Sequence, residues 1–139
     1  MIATDPKAER HYVLVRDRAL QPEQRRRFWI RSLTAREEHS AIDVGQGVDA
    51  EGNSRTNVGS MMFFMLSCGL VRWENVRGAD GQVLELKLDP RSGKASDESL
   101  GILTLSERME IAKAIESGAA FTEAELELSG QPSNPPSAT

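Results

Sequence analysis

At 139 residues, with 39% hydrophobic and 27% charged content, the chain is long enough for one domain with a modest core and too short for two conventional ones. Its net charge of -4, from 17 basic and 21 acidic residues, excludes a general electrostatic drive toward nucleic acid or an anionic membrane, though not a local basic patch. A single cysteine, Cys68, excludes an intrachain disulfide and a multi-cysteine metal site, and its place beside an apolar run reads as a buried thiol.

Residues 1–10 carry Pro6 and scattered charge, and read as a flexible lead-in. HYVLVR (11–16) sets Tyr12 and Leu14 on one face and Val13 and Val15 on the other, which predicts a strand. RRFWIRSL (26–33) alternates Phe28 and Ile30 against Arg27, Trp29 and Arg31, so the two stretches predict a hairpin with a long connection.

Thr34 and Glu37 have capping-box spacing and predict a helix to about Val44, with Gly45 and Gly47 as left-handed stops. VDAEGNSR (48–55) reads as an exposed loop. In NVGSMMFFMLSC (57–68), Val58, Met61, Met62, Met65 and Leu66 recur at helical spacing, with Phe63 and Phe64 on the flanks, which predicts a central helix closed by Gly69 as its C′ residue. The stretch LVRWENV leads into a turn at GADG (78–81), beyond which Leu84, Leu86 and Leu88 alternate as a strand.

Asp97 to Ile102 predicts one short helical turn. Thr104 and Glu107 then start a helix whose stripe of Leu105, Met109, Ala112 and Ile115 is expected on the Met-rich helix, with a stop at Gly118. Thr122 and Glu125 predict a short acidic helix carrying Leu126 and Leu128, and residues 131–139 form a polar Pro/Ser-rich tail. These elements describe a single α+β domain over residues 11–130, in which a small N-terminal β-hairpin and a later strand pack with about three main helices.

Catalytic signatures are missing from the pattern. His11 and His39 lack metal-ligand spacing, and there is no phosphate-binding loop, dinucleotide fingerprint or nucleophile elbow. Glu37, Glu38, Asp43, Asp49 and Glu51 cluster in sequence but fall on a helix surface and loop, where solvated charge is the simpler reading. The longest apolar run, 61–66, is far below the roughly 20 residues of a membrane span, and the first residues lack a signal-peptide core.

Three features suit a binding surface instead. Arg outnumbers Lys 13 to 4, and Arg25, Arg26 and Arg27 precede Phe28 and Trp29, a run that reads as a solvated strand end or a face for an acidic protein partner or, more remotely, for nucleic acid. Met61, Met62 and Met65 suit either a core helix, the preferred reading, or an adaptable groove. Trp73, Glu74 and Asn75 form a core or interface anchor, with Glu74 and Asn75 satisfying nearby backbone groups.

The order VLVRDRALQPEQRRRFWIRSLTAREE, then GLVRWENVRGADGQ, then LTLSERMEIAKAIESGAAFTEAELELSG resembles small proteins of the tailed-bacteriophage structural gene block, often described as tail assembly chaperone-like. The similarity runs over most of residues 13–130. It implies a non-enzymatic protein that binds other phage structural proteins in the host cytoplasm during assembly, with self-association as a further option and neither cofactor nor membrane. The alternative is a minor virion structural protein (connector, cement or tail-associated) retained in the particle. The candidate interface residues are Arg25, Arg26, Arg27, Trp29, Trp73, Glu74 and Asn75.

Overall fold

The structure is a computed structural model that describes residues 8–118, so the helix expected at Thr122, the Pro/Ser tail and most of the lead-in lie outside the described residues. Its fold is α+β. An antiparallel sheet is ordered β1 (Arg10–Tyr12), β2 (Arg27–Ile30), β5 (Leu70–Glu74), and a two-stranded ribbon joins β3 (Gln46–Val48) to β4 (Ser54–Thr56). Helices α1 (Ala35–Gly45) and α2 (Val58–Gly69) pack together, and α4 (Leu105–Ser117) lies on α2 beside the short α3 (Asp97–Leu100).

The alternation in β2 works as expected, since Phe28 and Ile30 are fully buried while Arg27 and Trp29 face outward. β1 is shorter than the predicted strand. Val13 and Leu14 are both fully buried in succession, and the chain leaves the sheet after Tyr12 to turn into a 3₁₀ segment at Val15–Asp17. Glu110 of α4 secures this bend, accepting from the Tyr12 hydroxyl at 2.7 Å and the Val15 amide at 2.8 Å.

The α1 capping box is present, with the Glu37 amide donating to Thr34 Oγ1 at 3.2 Å and the Thr34 amide to Glu37 Oε1 at 2.9 Å. Arg31 adds a two-pronged contact to Glu37 at 2.9 and 2.8 Å. Hydrogen bonding from Arg31 prevails over the cost of burial and, with the Thr34 amide, holds the Glu37 carboxyl at about 2. Because that value lies below the ordinary 4.5, this contribution to stability is complete above pH 4.5 and is lost as pH falls toward 2. Melts across that window are expected to show a weaker acid dependence for Glu37→Gln than for the native chain. Equal slopes would remove Glu37 as a source of it.

Gly45 and Gly69 end their helices for a reason other than a left-handed turn. Neither has a positive φ. A Cβ on Gly45 would lie 3.2 Å from Met61 Cβ, a tight fit, and one on Gly69 would lie 2.7 Å from Ile115 Cδ1 and 2.8 Å from its Cγ2, so close at Gly69 that a side chain there would force the helices to shift. Gly69→Ala is expected to cost about 1–3 kcal/mol by overpacking despite the better helix propensity of Ala. Ile115→Val in the same chain should recover part of it in a double-mutant cycle read by urea unfolding; additive losses would mean the two residues are not coupled.

Residues 48–55 are exposed as predicted but ordered, the β3–β4 turn being held by Asp49 Oδ1, which accepts from the Glu51 and Asn53 amides. The turn at 78–81 also forms, with Gly81 at φ +80°. Its far arm does not become the expected strand: residues 83–88 make only isolated bridges, Arg77 to Val83 and Leu88 to Ala95. Side chains take part of its backbone, as Trp73 Nε1 donates to the Leu84 carbonyl at 2.8 Å and the Lys87 amide donates to Ser99 Oγ at 2.8 Å, while the Leu84 amide donates to the Val76 carbonyl and the Lys87 carbonyl accepts from the Ser96 amide. The later strand of the sheet is β5, on the near side of the turn.

On α4 the box of Thr104 and Glu107 and the left-handed Gly118 both form, and the helix packs on α2. The buried face keeps Ala112 and Ile115 of the predicted stripe but not Leu105 and Met109. Leu105 and Met109 are 57% and 55% exposed, while Glu107, Ile111, Ala112, Ala114 and Ile115 are buried. The helix is rotated toward Glu107, which an arginine holds inside.

Candidate interaction surfaces

Strand register builds the first surface. His11, Trp29 and Arg72 occupy one rung of β1, β2 and β5, on the sheet face opposite the core. The His11 and Trp29 rings stack at 5.3 Å between centroids and 24° between planes, and the Arg72 guanidinium lies 4.0 Å from the Trp29 centroid. Glu9 lies 3.6 Å from Arg72, and the next rung pairs Arg27 with Glu74. The result is an outward row of stacked aromatic and cationic groups with carboxylates at its margin.

The basic triplet is split by the fold. Arg25 is only 6% exposed, and its guanidinium donates to the carbonyls of Leu20 and Arg18, both at 3.0 Å, which ties down the connection between β1 and β2. Arg26 bridges two elements, contacting Asp17 at 2.7 and 3.0 Å and Glu107 of α4 at 2.6 Å. Hydrogen bonding to Asp17, ahead of the opposing effect of burial, raises the Arg26 pKa further. Burial works against the Glu107 carboxylate, but bonds from the Thr104 amide and Arg26 outweigh it and lower its pKa. Only Arg27 of the three stands on the outward sheet face.

The Trp-Glu-Asn trio is divided in the same way. Trp73 is 6% exposed and meets Phe28 edge-on at 6.2 Å and 90°, so it anchors the core. Asn75 adopts a left-handed φ of 62°, and its amide donates to the carbonyls of Glu23 and Arg25 at 3.2 and 3.3 Å. Glu74 remains exposed beside Arg27. Of the candidate residues, Arg27, Trp29 and Glu74 therefore share one face, whereas Arg25, Arg26, Trp73 and Asn75 hold the chain together. His11 and Arg72 complete the face, and neither is identifiable without the cross-strand register.

The second surface is an open groove between α1 and α2 at the end of α4, lined by Met61 and Met65. Cys68 is a buried free thiol. The carboxylates at 37–51 are dispersed: Glu37 caps α1, Asp49 closes a turn and Asp43 faces His39 at 3.5 Å. Among the described residues no cluster of three or more His, Cys, Asp or Glu is placed to hold a metal, and no helix is long and apolar enough to cross a membrane. Comparison with protein-family models, with curated proteins and with solved structures found no match.

Proposed function

We propose that the chain is a non-enzymatic, protein-binding component of tailed-bacteriophage assembly, acting on other phage structural proteins in the manner of a tail assembly chaperone. The observation that carries the reading is the outward row of His11, Trp29 and Arg72, a rigid aromatic and cationic face that the core does not use. Aromatic and arginine side chains are the groups most enriched at binding hot spots. The order of motifs from Val13 to Gly130 gives the phage assignment its support. With Arg25 buried and Arg26 held by two carboxylates, the triplet offers little free charge to nucleic acid, which favours a protein partner.

The test is quantitative mass spectrometry of purified particles beside an infected-cell lysate, with cross-linking to identify neighbours. Abundance in the lysate, cross-links to tail proteins and absence from particles would support the chaperone role. Fixed copy number in particles would replace it by a structural one, and no cross-link to any phage protein would overturn both. A Trp29→Ala, Arg72→Ala double variant is expected to lose those cross-links while remaining folded, since an exposed cation–π contact stabilises by only about 0.5–1 kcal/mol.

A further inference from the structure

The groove beside α2 is built by two helical ridges. Ile42 of α1 and the pair Met61 and Met65 of α2 form its sides, Leu33 and Ile115 its floor, and its volume is about 460 Å³. Ile42 is 52% exposed on the α1 side, which it shares with Glu38. A trough between two packed helices has the shape that receives a third, and methionine side chains adjust to the residues laid against them.

The charge at the rim selects the partner. The ionised side chains lining the groove are Glu38 of α1 and Glu116 of α4, both exposed, and among the described residues neither is ion-paired. Complementary charge therefore belongs beside Glu38 and Glu116.

The geometry points to this groove as the docking site for a basic amphipathic helix of a partner protein, its apolar face on Ile42, Met61 and Met65 and its Lys or Arg residues beside Glu38 and Glu116. This deepens the protein-binding reading and rests on it, but uses a surface separate from the sheet face. Recognition of a helix in a groove reads apolar anchors one turn apart, and flanking charge sets which helices are admitted.

The test uses the full chain with methyl-labelled methionine, titrated with a synthetic amphipathic Leu/Lys helix and with a Leu/Glu counterpart of the same apolar face, and followed by NMR. The Leu/Lys peptide is expected to shift the Met61 and Met65 signals while Met109, outside the groove, stays in place. Glu38→Lys with Glu116→Lys should raise its Kd roughly tenfold, added salt should weaken it, and Ile42→Arg, at an exposed position, should abolish it without unfolding the chain.

Equal binding of both peptides, movement of Met109 with the others, or indifference to the charge reversal would overturn the proposal. Self-association of the unliganded chain that Ile42→Arg removes would assign the groove to a second copy instead. Met61 and Met65 signals that ignore the peptide but respond to Leu126→Ser would assign it to the chain's own residues beyond 118. Any of these results leaves the particle and cross-linking experiment to decide the assembly role independently.

Discussion

Trp73→Ala is expected to destabilise the fold by about 3–5 kcal/mol, the range for removing a large buried aromatic. The indole is 6% exposed, packs edge-on against Phe28 and donates to the Leu84 carbonyl. Trp73→Phe separates these contributions: it keeps an aromatic ring but leaves the Leu84 carbonyl without that donor, at a cost of about 1–3 kcal/mol. Urea unfolding of both variants is the measurement. In a Trp29→Phe background the remaining Trp73 emission should be blue-shifted and shielded from acrylamide. A loss below about 1 kcal/mol for Trp73→Ala, or an indole open to quencher, would return Trp73 to the surface and to a direct role in binding.

Arg26→Met is expected to cost about 3 kcal/mol, the lower end of the range for removing one partner of a buried ion network. The Asp17 and Glu107 side chains are 5% and 7% exposed, so both carboxylates would remain inside without their cation, while the 22% exposure of Arg26 moderates the loss. The effect has a direction in pH. In the native chain the lowered Glu107 pKa contributes stability above the ordinary carboxylate value of 4.5, and that contribution is lost as pH falls through the folded value. In the variant burial acts on Glu107 without Arg26 to oppose it, so protonation relieves strain and the deficit against the native chain should narrow on acidification. Denaturant midpoints for both chains near neutrality and near pH 4.5 read this directly: a deficit that stays constant would mean the loss does not come from the Glu107 charge, and no deficit at either pH would mean the network is not a source of stability.

How much of this was legible depends on the range of the interaction concerned. Both capping boxes were readable because Thr34 with Glu37, and Thr104 with Glu107, satisfy helix ends within three residues. The turn at 78–81 was readable for the same reason, as Asp80 accepts from the Gln82 amide two positions on. The alternation in 84–88 was equally visible yet produced no strand, because a strand requires a continuous ladder with a neighbour, and Trp73 and Ser99 take the Leu84 carbonyl and the Lys87 amide out of one. Periodicity on α4 placed the helix but not its rotation, since the pattern of apolar residues carried no sign that Glu107 would be drawn inward by an arginine from β2's leading edge.

The sequence by itself determined an α+β domain, the start and finish of its main helices, the core face of β2 and the absence of recognisable catalytic motifs, all consequences of contacts within a few residues or of side-chain period. Tertiary structure alone decided the roles of similar residues. Of two tryptophans, Trp73 became core and Trp29 became surface; of three consecutive arginines, one was buried against carbonyls, one bound two carboxylates and one faced outward. These outcomes depend on cross-strand register and on which helix lies over which strand, which bring together residues as far apart as Arg26 and Glu107. Strand period allows a residue to face either way, and only the partner across the fold selects one.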